Sequence, residues 1–516
     1  MSWVPGRGRP VAMPNDFTPL RGRQIDARVR VAWLLRINRL AVAPGPAAAF
    51  VEKLRAHGCV LGPSTLCRYE TGTEPVPASV VRAYELALNL PAGRLVGACA
   101  GLDRMFGSAF APETGPVQMA RAELINAMAK WEQGVAEGSM SGSDWVRAAD
   151  VLSQPTGPVL PPSVLRHWVS QLVTETMRSV REAYTTRAHA LGLLLADPGL
   201  SPLVLEAIDE TTGEPGAQSV MNVLAILGSS PEPAVLRWLV THFEQHEGEH
   251  QWGAAYGLLS QICRGTLPVE LVPDVSRAVL DAAAEGLVRG RSAFMVAQRL
   301  SADLTRQVVS RLGCYPAPTA SGARVQSPAG LNLYRAAALQ ESGLDDPMLD
   351  RLLREALSPD FVERRHHSLL LLAASPYRNV LANVAVGLLD GASEPYAADA
   401  ASHAIVYLAG DGQRRHLVDL TTRTPRRRAD LLAALTHSGG VPSSVDMVAL
   451  ADDPEQARAV VRAAGMSAHP SLRTFATSPD LLEPSLQRSA QWWRRTGPAI
   501  TDSRQEVSDD ILHLAG

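Results

Sequence analysis

From about residue 26 onward, apolar residues recur three and four apart in runs of about 10 to 18 residues, and Pro, Gly, Ser and Asp punctuate the runs. That spacing puts a single apolar stripe along a helix, whereas the strict alternation of a half-buried strand is almost absent. The pattern predicts an all-α protein. A first helix is expected from the capping residue Asp26 through Val29, Val31, Trp33, Leu34, Leu35 and Ile37 to about Asn38. A second spans roughly 47 to 57 and a third 64 to 71, followed by the Pro-bounded link Glu74-Pro75-Val76-Pro77. A fourth runs from about Ala78 to Leu88; Asn89-Leu90-Pro91-Ala92-Gly93 then ends it and starts a fifth, whose Leu95 and Val96 would cover the bundle.

The third helix differs from its neighbours. Gly62-Pro63-Ser64-Thr65-Leu66-Cys67-Arg68-Tyr69-Glu70-Thr71-Gly72 is short and polar. Ser64 is placed to cap it by accepting a backbone N–H one turn on, and Gly72 to end it in the left-handed conformation. Leu66 and Tyr69, three apart, would face inward and leave Ser64, Thr65, Cys67 and Arg68 outside. An outer face that is small, polar and singly charged suits the major groove, because a long Arg reaches guanine edges while hydroxyls approach backbone and bases. With no Gln at the base-reading positions, specificity would rest on Arg68 with Ser64 and Thr65; Cys67 and Thr73 complete the expected contact set. The competing reading is an ordinary amphipathic helix pair in a helical protein.

On these residues the chain resembles the XRE or Cro-type (phage-repressor-like) helix-turn-helix family. The likeness covers residues 26 to 96: Ser64-x-Leu66-x-Arg68-x-Glu70-x-Gly72, then Pro77, then Val80-Val81-x-x-Tyr84-x-Leu86-Ala87-x-x-Leu90. Two features depart from the family pattern. Pro44-Gly45-Pro46 precedes the second helix instead of a Ser/Thr cap, and Cys59-Val60-Leu61 makes the turn before the third about two residues longer. The resemblance implies a five-helix DNA-binding domain over residues 24–105, a third helix that reads bases, and regulators of actinobacterial type that pair two such heads on half-sites.

Residues 1–23, rich in Pro, Gly and Arg, are expected to form a disordered basic arm. Within it Arg7-Gly8-Arg9-Pro10 resembles an AT-hook core, in which Arg7 and Arg9 would enter a narrow minor groove. Residues 106–116 read as a linker. Beyond it, Ser368 to Ser375, Ala401 to Gly410 and Ala429 to Leu435 are similar apolar segments at intervals of roughly 30 residues, each followed by Pro or Gly and another helix. Such pairs resemble HEAT-type repeats, which bury their apolar faces only by stacking. A helical-repeat body is therefore expected over 117–312 and 331–516, divided by a loop at 313–330 and capped where Trp492 and Trp493 pack inward.

Composition sharpens the division. Only two of the 49 basic residues are Lys, a bias resembling that of a GC-rich bacterial genome. Residues 1–100 hold 12 Arg and one Lys against two Asp and four Glu, a net of +7 that leaves −10 for the rest. A basic head is attracted to phosphates while an acidic body is repelled by them. The five cysteines (Cys59, Cys67, Cys99, Cys263, Cys314) form no Cys-x-x-Cys pair, so neither a zinc knuckle nor a disulfide framework is indicated. Without a secretory or membrane-spanning segment, the expected location is the cytoplasm, at the nucleoid when DNA-bound. Met13 offers a second start for translation.

Candidate chemistry is sparse. His242, His246 and His250, with Glu244, Glu247 and Glu249 among them, would share one side of a continuous helix. The zinc-protease pattern, however, has Glu directly after its first His, where this chain has Phe243, and Gly248 is expected to end the helix before His250. No metal or cofactor is expected; the favoured reading is histidines set against a helix C-terminus. The basic groups Arg364-Arg365-His366-His367 and Arg423, Arg426, Arg427, Arg428 read as solvated faces. With no phosphate loop, nucleophile elbow or paired carboxylates, an enzyme is not expected. The function implied is a transcriptional regulator that binds double-stranded DNA, forms a homodimer through its body, and senses a protein, peptide or small-molecule effector there. The alternative is a non-catalytic interaction scaffold with a vestigial helix-turn-helix.

Overall fold

A computed structural model describes residues 13–22, 24–111, 120–314, 330–391, 395–478 and 480–502. The described residues are 74% helical, with no strand among them. The first helices are α1 (Ala27–Val42), α2 (Ala47–Ala56), α3 (Pro63–Thr71), α4 (Ala78–Ala87) and α5 (Arg94–Phe106). Asp26 caps α1 as expected, its Oδ1 accepting the Val29 N–H at 3.2 Å. Pro46 and Pro77 hold the N-cap positions of α2 and α4, with ψ near 147° and no side-chain cap.

The chain divides into two compact units: Met1–Leu90 with Ala320–Ala499, and Pro91–Thr319 with Ile500–Gly516. A break near residue 105 is therefore not where the structure separates. The helices α1 to α4 belong with the C-terminal third, and α5 belongs with the middle of the chain.

In the first unit, α1 is buried on nearly every side. Val31, Ala32, Trp33, Leu34 and Leu35 are all in the core, and so is Arg30. The Arg30 guanidinium is fully paired: Nε donates to Asp16 Oδ2 at 2.9 Å, and Nη1 and Nη2 to the two Glu355 oxygens at 2.6 and 2.8 Å. Glu355 lies on the helix Pro347–Leu357, whose capping residue Asp346 accepts the Trp33 indole N–H at 2.8 Å. From the helix Val362–Ala374, Arg364 adds a contact to Glu355 at 3.3 Å and donates to the carbonyls of Pro19, Leu20, Gly22 and Gln24. The expectation of a disordered arm through residue 23 is thus corrected for residues 13–22: Asp16 is buried among arginines and anchors this stretch. Arg7 and Arg9 lie outside the described residues.

Further along this unit, Pro395–Leu408, Arg428–His437, Pro454–Met466 and Pro484–Thr496 pack in succession, each against the next. At the end of the row Trp492 and Trp493 are buried, their ring centroids 4.8 Å apart, and the Trp493 ring lies against Gly465. Of the expected interior loop, residues 315–329 lie outside the described residues, as do 112–119 of the linker region and 503–516.

In the second unit, α5 reaches the helix Arg181–Ala196 through two glycines one turn apart. A Cβ on Gly93 would stand 2.1 Å from Thr186 Cγ2, and one on Gly97 2.1 Å from Thr185 Oγ1, so only hydrogen fits at either place. Gly97→Val is expected to lower the stability of this unit by about 1–3 kcal/mol or more through overpacking; an unchanged calorimetric unfolding profile would mean that the helices do not meet there. A buried Arg187, paired with Glu175 at 2.9 Å and Asp502 at 3.0 Å, joins the last described residues to the same unit. Among the described residues no helix is long and apolar enough to cross a membrane.

Candidate nucleic-acid interface

The helix α3 begins one residue earlier than the sequence suggests. Gly62, in extended conformation, precedes it, and Pro63 takes the first helical position, where its missing N–H is no loss. Ser64 therefore does not cap α3, and its hydroxyl sits on the exposed face. Gly72 ends the helix as expected, with φ 74° and its N–H donating to the Tyr69 carbonyl at 3.3 Å. Gly72 is needed twice over, because a Cβ there would also come within 3.1 Å of the Val29 backbone on α1.

Leu66 is buried and Tyr69 half-buried, while Ser64, Cys67, Arg68 and Thr73 are exposed and Thr65 is half-buried. The expected contact set thus shares one outward face. Within it Arg68 Nη1 pairs with Glu74 Oε1 at 2.9 Å and Nη2 donates to Thr65 Oγ1 at 3.1 Å. The Thr71 hydroxyl donates to the Cys67 carbonyl at 2.9 Å and that of Thr73 to the Arg68 carbonyl at 3.1 Å. Both members of the Arg68–Glu74 pair are substantially exposed, so the pair contributes about 1 kcal/mol at most and the guanidinium can exchange partners at little cost.

Beneath this face lies a buried ion pair absent from the sequence reading. Arg39 on α1 donates to both Glu70 oxygens, at 2.5 and 2.6 Å, and Tyr84 on α4 donates to Glu70 Oε1 at 3.0 Å. Phe50 on α2 meets the Tyr84 ring edge-on at 4.9 Å, with the Arg39 guanidinium carbon 5.9 Å from its centroid. One cluster thereby fixes all four helices. Burial, reinforced by the neighbouring Glu70 charge, pushes the Tyr84 hydroxyl well above its usual pKa, so it remains a proton donor.

The same pairing narrows the charge argument. Arg30 and Arg39 are neutralised internally and are unavailable to phosphate. Around α3 the exposed cations include Arg68, Lys53 and Arg55, the last paired with Glu52 at 2.7 Å. The other basic segments are largely paired within the fold, although Arg423 and Arg426 are exposed. Arg364 is buried, His366 Nδ1 meets the Tyr407 hydroxyl at 2.8 Å, and His367 Nδ1 meets the Glu363 carbonyl at 2.7 Å. Arg427 pairs with Asp399 at 2.7 Å, Arg423 with Asp419 and Asp390, and Arg428 is buried. Comparison of the chain with protein-family models, with curated proteins and with solved structures finds no significant match.

Proposed function

We propose that this chain is a DNA-binding transcriptional regulator of the XRE or Cro-type helix-turn-helix class, with α3 as its recognition helix. The observation that carries the reading is the division of α3 into a face locked by Leu66 and Glu70 and an outward face of Ser64, Thr65, Cys67, Arg68 and Thr73. A rigid support under a short polar face lets a few side chains present fixed geometry to base edges. The successive helices of the C-terminal third are read as a HEAT-like array that holds α1 and serves for dimerisation or effector binding.

A second reading is favoured by two contacts: Arg68 pairs with Glu74 and donates to Thr65 within its own element, as expected of an interaction scaffold whose helix-turn-helix no longer reads DNA. The two readings diverge on retention of the full chain on duplex DNA from upstream of its own gene. Binding that weakens with salt supports the regulator; no retention at low salt supports the scaffold. The full chain is required because a fragment ending near residue 105 would lack Glu355 and Asp346 and strand Arg30 and Trp33.

Glu74 provides a further check. Glu74→Gln removes a carboxylate from the edge of the DNA face and frees Arg68, so affinity for duplex DNA is expected to rise by about 0.2–1 kcal/mol, more at low salt. Unchanged fluorescence anisotropy isotherms would mean that Glu74 lies away from bound DNA.

A further inference from the structure

The three histidines spaced four apart do not lie on one helix. The helix Pro233–Gln245 ends before His246, which has extended backbone at φ −115° and ψ 168°, and Gly248 with φ 60° starts the next helix, Gly248–Arg264. The chain reverses over this break, and the reversal gathers the imidazoles that the interruption was expected to scatter. Their candidate ligand nitrogens all lie within 4.8 Å of one another, and His242 Nε2 is 3.1 Å from His250 Nδ1.

We propose that His242, His246 and His250 form a binding site for a divalent transition-metal ion that favours nitrogen donors, with zinc the foremost candidate. Tetrahedral zinc with Zn–N bonds of about 2.0–2.1 Å places its nitrogen ligands about 3.3 Å apart. The His242–His250 separation is already close to that edge. The remaining adjustment falls to His246, which is exposed and sits on the connecting turn, so a side-chain rotation can bring its ring in.

The surroundings favour a cation. Trp238 stacks on the His242 ring at 4.3 Å and steadies its orientation. Glu244, Glu247 and Glu249 occur within the same nine residues. Two of these have other partners: Glu244 faces Arg277 at 3.5 Å, and Glu249 accepts the Val220 N–H at 3.1 Å. Arg289 donates to the carbonyls of Phe243 and Glu244 and so satisfies the helix end without occupying the imidazoles. Three imidazole nitrogens match zinc, nickel, cobalt and copper and suit magnesium or calcium poorly; the remaining coordination position would be taken by water or another ligand.

The test uses the full chain without a polyhistidine tag, stripped with chelator and titrated with zinc by calorimetry and with cobalt by visible absorption. One zinc per chain, a tetrahedral cobalt spectrum, and affinity at least about tenfold weaker in His246→Gln are expected. His246 is exposed, so its replacement should leave the metal-free unfolding temperature unchanged, and His250→Gln provides a second arm. Absence of binding, or zinc affinity unaffected by both substitutions, would overturn the proposal. The outcome is independent of whether the chain binds DNA.

Discussion

Replacing Glu355 with Ala is expected to destabilise the first unit by about 3–5 kcal/mol, because the Arg30 guanidinium, buried on α1, would lose two hydrogen bonds and most of its compensating charge. Set against a typical domain stability of about 5–15 kcal/mol, this is a large share of the total. Arg364 and Ser368, which also contact Glu355, would be left with poorer pairing. The pH dependence has a defined sign. Burial alone would raise the carboxyl pKa of Glu355, but Arg30, Arg364 and Arg351 outweigh it and hold the carboxyl below its usual value of 4.5. Asp16, likewise buried beside Arg30, is also held below its usual value. Both groups therefore contribute stability above that range, which is lost as pH falls through it. Urea unfolding followed by circular dichroism at neutral and acidic pH is the check. Glu355→Ala should lower the midpoint and flatten the acid limb; an unchanged midpoint would mean that α1 does not depend on the C-terminal third.

Arg68→Ala should act on the opposite property. Arg68 is exposed and its side chain, among the described residues, is tied to Glu74 and Thr65, so its loss should leave the unfolding midpoint within about 0.5 kcal/mol of the unsubstituted chain. On the preferred duplex the same substitution should cost about 1–3 kcal/mol and relax preference at one base pair, the signature of an arginine bonded to a guanine edge. Equal losses on preferred and random duplexes would assign Arg68 to phosphate. Glu70→Ala is the contrasting change: it strands Arg39 beneath α3 and should lower the unfolding midpoint before any direct effect on base preference.

What the sequence made legible was local. The Asp26 cap, the left-handed Gly72, the inward Leu66 and the outward Arg68 all depend on residues within a turn or two of one another, and each stands where the pattern placed it. Ser64 as a cap failed because Pro63 starts the helix a residue early. The attachment of α1 was illegible for a different reason. An arginine in an amphipathic helix defaults to the solvent side, and the carboxylate that buries Arg30 lies 325 positions away with no local trace. The displacement of α5 did leave a sign in Gly93 and Gly97, one turn apart, but two small residues do not say which helix they will touch. For the histidines the broken helix was visible in Gly248; that the reversal would fold His250 back onto His242 was not.

The most direct measurement is the equilibrium binding of the full chain to duplexes selected from a random pool, followed by anisotropy over a range of salt concentrations. A recovered consensus, affinity that falls linearly with the logarithm of salt, and a loss of consensus preference on Arg68→Ala with the fold intact are the expected results. Failure to enrich any sequence, with no retention even at low salt, would contradict the assignment of α3 as a DNA-reading helix.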